Sequence, residues 1–196
     1  MTGQKDCFIL DLDMIMTDNF FNINNVKLSD QTLDNQIKLN KKALEILKRN
    51  EGAWLKEFFE FFDYDKCYET KDLETLIKIV DRIFGSTIPV VIVTKITGDN
   101  ALEKLLFSHR VLSKYIKSTR EVKFIAVEDG DGNKVEKFQR ECPHYYPVGI
   151  ADDYPKNVDK FVKVNDDILI FVPKRLLWYE DFLDESRFNQ MNITFY

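Results

Sequence analysis

Two carboxylates one residue apart follow an apolar run near the start of the chain, where residues 8–10 lead into Asp11 and Asp13. A short, almost wholly apolar run predicts a buried central strand of a parallel sheet, and such strands carry ligand sites just past their carboxyl ends. Two carboxylates held close together repel, so either a cation lies between them or one is protonated. For this pair alone, a strand-end turn with solvated aspartates is the simpler alternative.

Residues capable of chemistry also follow later predicted strands. A β-branched apolar run ends in Thr94, and another apolar strand is followed by Asp152 and Asp153. Lys134 opens the helix that precedes this later strand. Because all strands of a parallel sheet point the same way, we expect these side chains to converge on one crevice although they are far apart in sequence.

Such a set of side chains is suited to phosphoryl transfer. Several carboxylates in one crevice form a hard oxygen site that favours Mg²⁺. A threonine hydroxyl, backbone amides and a lysine ammonium can bind an anionic phosphoryl group. One carboxylate can attack phosphorus to give an aspartyl-phosphate, while a second exchanges protons with the leaving group and with water. The carboxylates would repel a phosphate on their own, so the metal is part of the prediction.

The elements that position these residues alternate along the chain. Alternating strands and helices predict an α/β fold with a Rossmann-like parallel five-stranded sheet and helices on both faces, joined by right-handed crossovers. The tail from residue 173 carries no assignable pattern. The strands are predicted near residues 8–10, 88–94, 122–127, 147–151 and 168–172, and the helices near residues 72–84, 98–107, 134–142 and 157–162.

One stretch exceeds what such a sheet requires. A helix over residues 72–84 is a sufficient crossover between the first two strands. Residues 18–69 are therefore predicted to be an inserted helical subdomain, and residues 1–17 and 70–196 the core. The aromatic side chains of the insert either form its own core or offer a stacking surface. They include Trp54, Phe58, Phe59, Phe61, Phe62 and Tyr64.

These motifs resemble those of the haloacid dehalogenase-like superfamily, in its phosphohydrolase branch. The similarity lies in the order Asp-x-Asp, Thr, Lys and Asp-Asp, and it covers the chain from about residue 5 to residue 172. Residues 152–158 are similar to the DDxPxNV form of the family's fourth motif. Met14 and Ile15 stand where the family most often has Gly-Thr or Gly-Val.

The resemblance implies a role for each motif residue. Asp11 would be the nucleophile, and Asp13 the general acid/base, whose backbone carbonyl also faces Mg²⁺. Thr94 would bind the phosphoryl oxygens. Lys134 would offset their charge, with Lys137, one turn further on, as the competing lysine. Asn157 would either orient a metal ligand by a hydrogen bond, without binding the metal itself, or cap a helix. The implied metal ligands are Asp11, Asp13, Asp152 and Asp153.

The resemblance also implies that the insert is a cap over the crevice, and caps exclude water and select substrates. A small helical cap favours compact phosphomonoesters. The layout resembles the 5'(3')-deoxyribonucleotidase group, so a nucleoside monophosphate is one candidate and a sugar phosphate another. The expected function is a Mg²⁺-dependent phosphatase acting on a small phosphorylated metabolite. A catalytically silent binding or scaffold protein of this fold and a phosphotransferase are the alternatives.

Composition narrows the partners and the compartment. The net charge of -5, with both signs interspersed, argues against a nucleic-acid partner. No apolar run is long enough for a membrane span or for the core of a signal peptide. The three cysteines lack metal-binding spacing and are interpreted as reduced thiols, so a cytoplasmic location is expected.

Two other kinds of site fit the sequence less well. A response-regulator receiver domain also clusters aspartates, a threonine and a lysine, but in a different order and without so large an insertion. Residues 129–133 superficially suggest a calcium-binding loop. In that loop Lys134 stands where glycine is required and Arg140 where a bidentate acid is required, so the stretch is predicted to be a turn.

Overall fold

The computed structural model describes residues 3–17, 64, 67, 69–96, 100–128, 130–175 and 193–196, and all structural statements below refer to these residues. Of the predicted insert, only Tyr64, Cys67 and Glu69 belong to them. The predicted helical cap over residues 18–69 therefore lies almost wholly outside the described residues and stays a prediction.

The described residues form six strands and four helices. The strands are β1 (Lys5–Leu10), β2 (Val90–Lys95), β3 (Val122–Val127), β4 (Tyr145–Ala151), β5 (Leu169–Val172) and β6 (Ile193–Phe195). The helices are α1 (Asp72–Phe84), α2 (Ala101–Leu112), α3 (Lys134–Glu141) and α4 (Pro155–Val162).

All six strands belong to one parallel sheet in the order β3-β2-β1-β4-β5-β6. β1 is central, with Ile9 opposite Val91 of β2 on one side and Ile150 of β4 on the other. The strand order reverses at β1, and by the rule that crossovers between parallel strands are right-handed, this order requires α1 and α2 on one face of the sheet and α3 and α4 on the other. The predicted α/β, Rossmann-like class is confirmed.

The sheet has one strand more than the five predicted. β6 pairs with β5, with Ile170 opposite Ile193 and Phe171 opposite Thr194. The amide of Tyr196 then donates to the Val172 carbonyl at 3.1 Å and continues the pairing. The sequence pattern missed this strand because three residues are too few to show an alternation of apolar and polar side chains.

Burial explains why β1 and β2 form the centre. Residues 7–10 and 90–94 are buried on both sides of the sheet, as expected for inner strands of a parallel sheet. α1 covers the sheet with one apolar stripe at helical spacing and ends at Gly85, whose φ of 89° suits a glycine. None of the helices in the described ranges is long and apolar enough to cross a membrane.

Candidate active site

The crevice lies at the carboxyl ends of β1, β2 and β4. Asp11 directly follows β1, and its amide donates to the Ala151 carbonyl of β4 at 2.8 Å. The Leu12 amide donates to Oδ1 of Asp11, also at 2.8 Å. Asp11 is buried, with 4% of its surface exposed. The backbone of the central strand pair therefore fixes this carboxylate at the carboxyl end of β1.

Lys134 lies between two of the predicted carboxylates. Its Nζ is 2.7 Å from Oδ2 of Asp11 and 2.8 Å from Oδ2 of Asp152, and all three side chains are buried. Although burial alone lowers the pKa of Lys134, the two carboxylates favour the charged form and the net effect raises the pKa. The site therefore contains a fixed ammonium against the predicted nucleophile.

The structure distinguishes the two lysines that the sequence left open. The Asn133 side chain and Glu136 form a capping box at the start of α3, which fixes Lys134 as the first helical residue. Lys137 lies one turn further on. It pairs instead with Asp131 at 2.8 Å and with Glu141 at 3.1 Å.

Asp152 is held by the start of α4. Its Oδ1 accepts hydrogen bonds from the Tyr154 amide at 2.8 Å and from Nδ2 of Asn157 at 3.1 Å. The N-cap of α4 is Tyr154, and its side chain makes no capping hydrogen bond. Of the two roles predicted for Asn157, the structure therefore places its amide on Asp152 rather than at the helix cap.

Three of the four predicted metal ligands offer carboxylate oxygens to one point. Oxygens of Asp11, Asp152 and Asp153 lie within 4.8 Å of one another. The pKa of Asp11 is raised to about 7, mainly by burial. Lys134 lowers this pKa, whereas the negative charges of Asp152 and Asp13 raise it further. The pKa of Asp153 is also well above its ordinary value, because burial and the carboxylates of Asp11 and Asp152 disfavour its charge. Crowded carboxylates of this kind fit a divalent cation that would take the place of their protons.

The carboxylate of Asp13 is turned to other partners. Tyr64 donates from Oη to Oδ1 at 2.7 Å, and Nζ of Lys104 lies 2.5 Å from Oδ2. Thr94, fully buried at the end of β2, has its hydroxyl 3.4 Å from the same Oδ2. The side chain of Asp13 is therefore bound by residues outside the group formed by Asp11, Asp152 and Asp153, and the contact of its backbone carbonyl with a metal stays a prediction. Asp11, Asp13 and Thr94 lie at the carboxyl ends of neighbouring strands, and the side chain of Lys134, at the start of α3, reaches Asp11, so all four predicted catalytic residues meet at this edge of the sheet.

Sequence reasoning did not identify Lys104 as a site residue, and it treated Tyr64 only as one aromatic residue of the insert. Lys104 lies at an ordinary position in α2, and a lysine in a helix is usually a solvated residue. Its burial, at 1% exposure, becomes visible only in three dimensions.

Met14 has an unusual backbone conformation in the loop that follows the two aspartates. Its φ of 60° lies in the left-handed region, which costs a residue with a side chain about 1–2 kcal/mol. The glycine that the resembled family most often has at this position would adopt the same conformation without that cost. Arg175, a buried residue beyond β5, donates to the Met14 carbonyl and pairs with Asp72 at 2.9 Å. Arg175 therefore holds the loop in place, and no pattern in the sequence indicates this contact.

Comparisons with known proteins give no relative: no protein-family model matches the chain, and neither does a curated protein or a solved structure. Because a fold class alone does not determine function, the functional assignment depends on the chemistry of the site.

Proposed function

We propose that this protein is a Mg²⁺-dependent phosphatase of the haloacid dehalogenase-like superfamily that hydrolyses a small phosphomonoester through an aspartyl-phosphate. The observation that carries the proposal is Lys134, buried between Asp11 and Asp152 in the crevice that also contains Asp13 and Thr94. A fixed positive charge beside a buried carboxylate nucleophile is suited to attack on an anionic phosphoryl group. A nucleoside monophosphate and a sugar phosphate are the candidate substrates.

Each residue has a defined part in the proposed reaction. Asp11 attacks phosphorus, the bond from phosphorus to the leaving oxygen breaks with its electron pair on that oxygen, and protonated Asp13 donates a proton to it. Water then attacks the aspartyl-phosphate and gives a proton to Asp13, and phosphate leaves as Asp11 regains its carboxylate. Thr94 binds the phosphoryl oxygens, and Lys134 offsets their charge.

The donor set proposed for Mg²⁺ consists of the carboxylates of Asp11, Asp152 and Asp153 and the backbone carbonyl of Asp13. These three carboxylates already lie close together, and the pKa values of Asp11 and Asp153 are raised because burial, and then the neighbouring carboxylates, disfavour their ionised forms. When bound, Mg²⁺ would supply positive charge that lets a phosphate approach these carboxylates.

A cytoplasmic setting is part of the proposal. Cys7, Cys67 and Cys142 are buried thiols that form no disulfide with one another. Buried thiols are typical of proteins in a reducing compartment.

The direct test is hydrolysis of p-nitrophenyl phosphate by the full chain. We expect turnover with Mg²⁺ that excess EDTA removes. Asp131→Asn is a matched control, because this carboxylate pairs with Lys137 and Arg140 away from the crevice, and it should keep its activity. The absence of turnover on aryl, nucleotide and sugar phosphates, with the fold intact, would overturn the proposal in favour of a silent binding protein. Faster transfer to an added alcohol than to water would favour a phosphotransferase.

Stabilisation by Mg²⁺ should depend on pH. The pKa of Asp11 is raised to about 7, so the folded protein holds this proton more tightly than the unfolded chain. The contribution of Asp11 to metal-free stability is therefore greatest below its ordinary pKa of about 3.9 and declines as the pH rises through about 7. Mg²⁺ competes with protons for these carboxylates. The rise in Tm on adding Mg²⁺ should therefore be small at about pH 5 and larger at about pH 8.

Thermal denaturation with and without Mg²⁺ at both pH values measures this effect. Asp153→Asn should reduce the Mg²⁺-dependent rise in Tm, while Asp131→Asn should leave it unchanged. An equal rise at the two pH values would contradict the assigned metal ligands.

A further inference from the structure

Asp13 is held by two residues outside the four motifs. We propose that Lys104 and Tyr64 are positioning residues that fix the Asp13 carboxylate for proton transfer to the leaving group, an inference that rests on the proposed phosphatase function. Lys104 binds Oδ2 of Asp13 at 2.5 Å, and Tyr64 binds Oδ1 at 2.7 Å. Because both oxygens are bound, rotation of the carboxyl group would break at least one of these contacts, while each oxygen keeps a second lone pair that can carry the proton to be transferred.

Lys104 is built into the crevice rather than added at its surface. It lies in the first turn of α2, close to the end of β2, and only 1% of the residue is exposed. Besides Asp13, its Nζ contacts the Lys95 carbonyl at 2.5 Å and the Thr94 hydroxyl at 3.4 Å. The Tyr64 ring lies beside it, with its centroid 5.3 Å from Nζ.

The stability of the fold does not by itself account for a charge at this position. A buried ion pair is often no more stabilising than well-packed apolar side chains of similar volume. The pair formed by Lys104 and Asp13 nevertheless lies beside Thr94, the residue proposed to bind the phosphoryl group. Its position at the reaction centre indicates a role in orienting the Asp13 carboxylate.

Tyr64 is in turn fixed to α2. Its ring is buried and meets the Phe107 ring edge-on, with centroids 6.1 Å apart. Nη2 of Arg110 donates to the backbone carbonyls of Tyr64 at 3.3 Å and of Cys67 at 3.4 Å. α2 therefore carries Lys104, which contacts one oxygen of Asp13, and also anchors Tyr64, which contacts the other oxygen.

Misplacement of Asp13 should affect one step selectively. A good leaving group departs as an anion and needs little help from an acid, whereas a poor one needs a proton as its bond to phosphorus breaks. A residue that only stabilises the fold would instead lower the rate for both kinds of substrate by the same factor. The ratio of the two rates therefore separates positioning from stability.

The experiment measures kcat/KM, which includes the step in which the leaving group departs, for p-nitrophenyl phosphate and for phenyl phosphate, the poorer leaving group. Lys104→Met keeps the length of the side chain and removes the charge, and Tyr64→Phe keeps the ring and removes the hydroxyl. We expect each variant to lose about 10–100-fold on phenyl phosphate and less than about 3-fold on p-nitrophenyl phosphate. Lys114→Met is the control, because this exposed lysine pairs with Glu69, and both rates should stay unchanged.

Selective loss on the poorer leaving group in both variants supports the inference, whereas equal loss or no loss on the two substrates overturns it. If Lys104→Met fails to fold by circular dichroism, Tyr64→Phe decides alone, since it removes a single oxygen atom. If the unaltered protein shows no turnover that depends on Asp11, both the inference and the proposed function fail. Failure of the inference alone leaves that turnover intact.

Discussion

Replacing Asp11 with Asn is expected to abolish turnover of every phosphomonoester that the unaltered protein hydrolyses, with a loss of at least about 10³-fold in kcat. An amide nitrogen or oxygen is a poor nucleophile toward phosphorus, so no aspartyl-phosphate forms. The fold should persist, because the Asn oxygen can still accept from the Leu12 amide, as Oδ1 of Asp11 does at 2.8 Å. A neutral side chain also suits a position whose burial raises the pKa of the carboxyl to about 7.

Trapping the intermediate provides the second measurement for this variant. Acid quenching during turnover of a ³²P-labelled phosphomonoester should yield labelled protein that hydroxylamine cleaves, and Asp11→Asn should yield none. Asp131→Asn serves as the matched control and should be labelled as the unaltered protein is. Activity or labelling that survives in Asp11→Asn would overturn the assigned nucleophile.

The second large effect is expected for Lys134→Met. This change leaves the carboxylates of Asp11 and Asp152 buried without the ammonium that lies 2.7 and 2.8 Å from them. Removing one partner from a buried ionic group typically costs about 3–5 kcal/mol in the free energy of unfolding. Turnover should also be lost, because the charge of the transferring phosphoryl group is no longer offset.

The pH dependence of this loss has a defined sign. Since the pKa of Asp11 is raised to about 7, a proton can neutralise this carboxylate at acid pH. The loss of folding stability caused by Lys134→Met should therefore be greater at about pH 8 than at about pH 5. Urea denaturation without metal at both pH values measures it. Lys137→Met is the matched control one helical turn away and should change stability little at either pH. Equal effects of the two substitutions would show that Lys134 has no special electrostatic role.

The elements that carry the motif residues could be predicted because buried parallel strands have a distinctive sequence. The continuous apolar runs that become β1, β2 and β4 identify both the strands and their carboxyl ends, where Asp11, Thr94 and Asp152 lie. The bounds predicted for α1 and β3 agree with the structure, because Gly85 ends α1 clearly and β3 is apolar except for Lys123. Parallel topology then requires the strand ends to meet, whatever their distance along the chain.

The partners of these residues could not be predicted in the same way. The contact between Lys104 and Asp13 spans 91 residues and that between Tyr64 and Asp13 spans 51, and neither follows from the periodicity of any one element. Helical spacing left both Lys134 and Lys137 open, because they lie about one turn apart on the same side of α3. The capping box that begins at Asn133 fixes which of them faces the crevice.

The hydrogen bond from Arg175 to the Met14 carbonyl has a consequence for biosynthesis. It joins residues 161 positions apart, and β1 itself must pair with β4, where Ile9 meets Ile150. During synthesis, the segment with the two aspartates is made well before β4, the strand beside it, and before Arg175, the residue that secures its loop. Contacts of such long range form slowly. The crevice is therefore completed only after β4 and Arg175 have been made, and until then β1 of the nascent chain can pair on one side only, with β2.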